Sequence, residues 1–135
     1  MIKRDENIAI HNVMNAFEKM DMGLFDYIAD NVDLAIDHYK DDADTQWQKC
    51  QSKQQMAGLL GRLAQEIFPR GTKILALNSQ SLGDGWYLTQ FSQQFWYGIL
   101  SKEVTGSSLI VSHESGGQVD YFRETVQKVE VLESA

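Results

Sequence analysis

From Lys73 to Val131 the chain alternates apolar and polar side chains, broken at Gly83-Asp84-Gly85 and Ser115-Gly116-Gly117. A period of two between glycine-bearing turns is the pattern of antiparallel strands joined as a meander. Strands are predicted over 73–82, 86–100, 104–114 and 118–131. A sheet of this kind must bury one face against other elements, and only the first half of the chain can supply them. There Ile8, Val13, Phe17 and Met20 recur near helical spacing. Asp21 is placed to N-cap a second, short helix from Met22 to Ala29, containing Leu24, Phe25 and Ile28. The period then changes. Val32, Leu34, Ile36 and His38 alternate with Asp33, Ala35, Asp37 and Tyr39, as in a half-buried strand. The polar run 40–51 reads as a loop. Ser52 caps a third helix, with Gln55 in the capping-box position. Its apolar stripe is Met56, Leu59, Leu60, Leu63, Ala64 and Ile67, and Pro69-Arg70-Gly71 stops it. The order α-α-β-α-β-β-β-β predicts an α+β layer fold, read as one domain over 1–135.

Charge narrows the partners. Twelve Lys and Arg stand against 19 Asp and Glu, a net −7 with a pI of about 4.8. Nucleic acid and anionic membrane are drawn to basic patches, so both are excluded as expected partners. No apolar run approaches the roughly 18–20 residues that span a bilayer. Acidic residues follow the basic start Lys3-Arg4 where a signal peptide would be apolar, so the chain reads as cytoplasmic. Cys50 is the single cysteine, has no partner for a disulfide and sits in a polar run, which argues against a catalytic thiol.

The motifs that resemble cofactor sites fail on spacing. Asp41, Asp42 and Asp44 suggest a calcium loop, but no central Gly follows and Lys53 stands where the bidentate Glu belongs. The three histidines lack zinc-ligand spacing. Gly83-Asp84-Gly85 lacks the third Gly of a dinucleotide site and reads as a turn. No metal and no cofactor are expected.

Several local features carry a resemblance. These are the helix pair broken at Asp21, Ile28-Ala29-Asp30-Asn31-Val32 leading into the first strand, and the ending Ser115-Gly116-Gly117-Gln118-Val119-Asp120-Tyr121-Phe122-Arg123-Glu124. With the element order, they make the chain similar to the superfamily of nuclear transport factor 2, ketosteroid isomerase and the SnoaL-like polyketide cyclases. The resemblance implies a cystatin-like cone, in which a curved antiparallel sheet wraps three helices of the N-terminal half around an internal pocket.

It also implies positions to test. Ketosteroid isomerases use a Tyr on the first helix, an Asp on the first strand and a protonated Asp on the penultimate strand. Here these positions fall on Val13, on Ile36 or Asp37, and on Leu109. Alternation with Val32 and Leu34 turns Ile36 inward, and only a one-residue register slip would turn Asp37 inward instead. Ketosteroid isomerase chemistry is therefore not expected. The cyclase branch commonly ends with a His and then a Glu two residues later. Here those places hold Phe122 and Glu124.

The expected site is an apolar pocket lined by Val13, Phe17, Ile36, Trp86, Trp96, Leu109, Val111, Asp120 and Phe122, with Glu124, His38 and His113 as the acid–base candidates. Imidazole suits proton transfer near neutral pH, and so does a carboxylate buried among aromatics. Each candidate also has a purely structural role open to it: a solvated His113 beside a turn, a strand-end His38, a Glu124 paired at the sheet rim. His11 reads as a surface residue.

The strand Trp86–Tyr97 carries aromatics on both faces, so both should be covered. The pocket covers one, and a second copy of the chain is expected on the other, giving a homodimer through the outer sheet face. The function that follows is binding of a small, neutral, hydrophobic or aromatic molecule. Catalysis would be that of a cofactor-free isomerase, cyclase or hydrolase, and the alternative is a non-catalytic ligand-binding, dimerisation or protein-interaction module.

Overall fold

A computed structural model of the protein describes residues 7–36, 48–98 and 101–132. Helix α1 (Ala9–Glu18) leads through a 3-10 helix (Met22–Tyr27) into β1 (Ile28–Ile36). A three-residue strand β2 (Gln48–Cys50) precedes helix α2 (Lys53–Arg62), which continues as a π-helical turn over Leu63–Ile67. Strands β3 (Thr72–Gly83), β4 (Trp86–Tyr97), β5 (Lys102–Ser115) and β6 (Gln118–Val131) form the meander. They make a six-stranded sheet in the order β2-β1-β6-β5-β4-β3. The α+β cone expected from the sequence is the fold observed.

The helix boundaries follow the capping chemistry. Asp21 accepts from Gly23 N at 2.8 Å, and Ser52 Oγ accepts from Gln55 N at 3.1 Å. Helix α1 has no side-chain cap of its own. Instead Glu114 Oε1, from the far end of β5, accepts from Ala9 N at 2.9 Å, placing a carboxylate at the positive end of the helix. At the other end Glu18 Oε2 accepts from Ile74 N on β3 at 2.7 Å. Two carboxylates thus tie α1 to the sheet, and Ile10, Val13 and Met14 are buried in the core with Leu77, Phe91 and Ile110.

Five sequence expectations change here. The second helix is a 3-10 turn, and β1 begins at Ile28 rather than Val32. The run 48–50 is a strand and not a loop, because Leu34, Ala35 and Ile36 offer it an antiparallel edge. Strand β1, which lies between β2 and β6, runs parallel to β6 rather than antiparallel, with a register shift between Ile28 and Asp33. His11 is not a surface residue. It is 2% exposed, its Nε2 lies 2.7 Å from Ser79 Oγ, and Ser79 Oγ lies 2.6 Å from Thr89 Oγ1. This polar chain gives the buried imidazole a partner under α1.

Candidate functional site

The inner face of β5 explains why the cone is hollow. Val104 and Ile110 are large, but Gly106 and Ser108 between them are small. Gly106 lies opposite Gln93 and Val129, and Ser108 opposite Phe91 and Val126, so β5 itself projects little side chain into the space above them. A cavity of about 120 Å³ results. Helix α1 roofs it with Val13, Met14 and Phe17, and α2 with Met56, Leu59 and Leu60. The π-helical turn aims Leu63, Ile67 and Phe68 into it, and Phe91, Phe95, Tyr97 and Phe122 come up from the sheet. An apolar space of this size holds a ring-sized organic molecule without any polar contact.

Few polar side chains reach the lining: Gln93, Tyr97, Ser108 and Glu124. Glu124 is placed by register. On β6 it stands beside Ile36 of β1 and Ile110 of β5, on the same inward face as Phe122. Gln93 Oε1 accepts from Thr72 Oγ1 at 2.7 Å, which leaves its Nε2 as the donor end.

Of the sequence-selected residues, Val13, Phe17, Ile36, Phe122 and Glu124 line the cavity. His38 and Asp37 lie outside the described residues. The remaining six do not reach it, and the expectation that they face the pocket is corrected. On β4 the buried residues are Thr89, Phe91, Gln93, Phe95 and Tyr97, so Trp86 and Trp96 stand on the opposite face. On β5 the buried residues are Ile110 and Ser112, so Leu109, Val111 and His113 also turn outward. A register shift between His113 and Glu114 inserts Asp120 as an extra residue of β6. Val119 and Phe122 are therefore both buried, although they are three apart, and Asp120 lies on the His113 side.

His113 has a different role there. Its Nδ1 lies 2.6 Å from Asp120 Oδ1, and its Nε2 lies 3.0 Å from the carbonyl oxygen of Asp84. Both partners are acceptors, an arrangement that favours the doubly protonated ring. The bond to Asp120 is the main cause of a pKa raised above the ordinary histidine value. With Trp86 packed at 4.8 Å between ring centroids, this side chain clamps the β3–β4 turn to the β5–β6 turn. Trp96 lies under the Arg70 guanidinium, 4.0 Å from its ring centroid.

Sequence reasoning missed Gln93, Phe91, Phe95 and Ser108 as cavity residues. The small residues Gly106 and Ser108, in phase with the large Val104 and Ile110 on the same strand, were the available signal. Cys50 is buried on β2, and burial pushes its thiol above the ordinary range while Arg62 opposes. A thiol so placed is a poor nucleophile. Among the described residues no group of three or more His, Cys, Asp or Glu side chains could hold a metal ion. No described helix is long and apolar enough to cross a membrane.

These features define an α+β cone with an apolar cavity and, among the described residues, one lining carboxylate. The fold is that of the nuclear transport factor 2-like proteins and SnoaL-like polyketide cyclases. An NTF2-like protein from Burkholderia thailandensis superposes with a TM-score of 0.69 at 16% identity, covering 93% of this chain and 92% of that one. A candidate polyketide cyclase from Xanthomonas campestris pv. campestris gives 0.71 at 10% identity over 90% of each chain. TerC, co-crystallised with polyporic acid, gives 0.69 at 11% identity over 89% and 90%. No family model matches the sequence, and no curated protein matches it.

Proposed function

We propose that the cavity binds a small neutral, apolar or aromatic molecule and that Glu124 exchanges a proton with it. The carrying observation is the position of Glu124, a carboxylate set among Ile36, Ile110 and Phe122 in a lining that is otherwise mostly hydrocarbon. Such a group acts on a carbon or oxygen acid held beside it without any cofactor, as an isomerase or cyclase requires. TerC, a protein of the same fold, was co-crystallised with an organic ligand, which supports a ligand role for the cone. Two of the three ketosteroid isomerase positions hold apolar residues, Val13 in the lining and Leu109 on the outer face, which favours a reaction other than that one. The buried thiol of Cys50 suits a reducing compartment such as the cytoplasm.

Calorimetric titration tests the binding. β-Naphthol should bind with one molecule per chain, and the anion β-naphthoate, built on the same ring system, should not, because the apolar lining would have to bury its charge. Equal binding of the two, or binding of neither, overturns the reading.

A second copy of the chain is proposed on the outer sheet face. The central outward positions of β4 and β5 are Leu88, Gln90, Ser92, Ser107, Leu109 and Val111, none of them charged in a chain of net −7. That is the surface on which two like-charged chains meet at least electrostatic cost. Sedimentation should show a dimer at micromolar concentration, and Leu109→Glu should weaken it roughly a hundredfold or more by setting like charges face to face. A monomeric native protein would sink the proposal.

A further inference from the structure

A second hollow adjoins the cavity. This groove of about 130 Å³ lies between the end of α1, the 3-10 helix and the π-helical turn, with Met20, Met22, Ala64 and Gly71 among its walls. Phe17, Leu24, Leu60 and Phe68 line both spaces, so these four residues form the wall that the groove and the cavity share. Phe68 is its centre. It meets Phe17 edge-on at 5.4 Å and Phe95, inside the cavity, at 4.6 Å.

The groove's chemistry is also specific. Met20 is 63% exposed and Met22 71%, large apolar side chains left in water at its rim. Met20 moreover holds a φ of 56°, a left-handed conformation that costs a residue other than Gly, Asn or Asp roughly a kcal/mol. Unbranched thioether chains adapt to flexible guests better than branched ones do. Asp21, at the same rim, disfavours an anionic end group.

We propose that cavity and groove form one bipartite site for an amphiphile: a compact neutral head beside Glu124 and Gln93, and a flexible alkyl tail passing Phe17 and Phe68 to lie along Met20 and Met22. This rests on the reading of the cavity as a ligand site and names the class of ligand. A compact polycyclic molecule would fill only the first chamber, and the second would stay unused.

A series of para-alkylphenols, from phenol to para-octylphenol, separates the two claims by calorimetry on the full chain. The short members test the cavity alone. With longer members the affinity should keep rising about three- to fourfold per methylene, the gain from burying each one. Ala64→Phe, at an exposed helical position whose ring would occupy the groove, should flatten the long end of that series. Short phenols that bind with no further gain for longer ones overturn the bipartite site and leave the cavity reading standing. A rise that is unchanged in Ala64→Phe places the tail elsewhere and also overturns it. If no member binds, both readings fall.

Discussion

Gly98→Ala should destabilise the protein by about 3 kcal/mol, which for a chain of this size lowers Tm by roughly 10 °C. A Cβ at Gly98 would stand 2.2 Å from the carbonyl oxygen of Glu66, 3.0 Å from its carbon and 3.1 Å from Pro69 Cδ. The first two are backbone atoms, which cannot rotate away, so either the end of β4 or the π-helical turn must move. The two are joined at this point, because Gly98 N donates to Ile67 O at 3.1 Å. The turn itself closes through Phe68 N donating to Leu63 O at 2.7 Å, the wide ring that defines a π-turn. Pushing it off the sheet would displace Leu63, Ile67 and Phe68, three walls of the cavity. Ligand binding should therefore weaken along with stability. Gly58→Ala and Gly61→Ala are the internal controls. Both lie in exposed helix with nothing within 4 Å of the new methyl, and each should stabilise by about 0.5–1 kcal/mol. Urea unfolding of the three variants measures the contrast. A Gly98→Ala midpoint equal to that of the native protein would show that this contact yields at no cost.

The fold was legible because its signals are local. Asp21 and Ser52 announce their helices by capping, the glycine turns space the strands, and the change from helical to alternating period marks where the sheet begins. The site was only half legible, for two physical reasons. On β4 both faces carry aromatics, so alternation groups Phe91 with Phe95 and Trp86 with Trp96 but cannot say which pair faces inward. The decision is tertiary: it depends on which side the helices cover. On β6 the bulge at Asp120 changes the phase of alternation midway, and nothing in the local composition marks it. Glu124 and Phe122 were placed in the lining because both lie beyond the bulge, in phase with each other. Asp120 lies at the bulge and was carried to the wrong face. His11 went astray for a related reason. A polar residue on a helix reads as exposed unless its partner is known, and that partner, Ser79, is distant in sequence.

Glu124→Gln should slow proton transfer on a cavity-bound ketone roughly 10²–10⁴-fold, the usual worth of a positioned general base. β-Tetralone serves as the probe, since it is neutral, ring-sized and carries acidic hydrogens beside its carbonyl. In deuterated buffer the Glu124 carboxylate takes a proton from the α-carbon, and the C–H electron pair moves through the new C=C bond to leave the carbonyl oxygen as an enolate. Gln93 and Ser108, which also line the cavity, would be the donors available to that charge. Return of a deuteron from the exchanged carboxyl completes one turnover, visible by NMR as loss of the α-proton signal. Glutamine keeps the size and hydrogen-bonding capacity of the side chain but cannot accept the proton. The variant should thus bind β-tetralone about as well as the native protein while exchange falls towards the rate in buffer. Equal exchange in both proteins would remove Glu124 from the chemistry. Saturable binding by the native protein with no exchange above buffer would leave the cone a binding module, and its carboxylate a device for choosing neutral ligands over anionic ones.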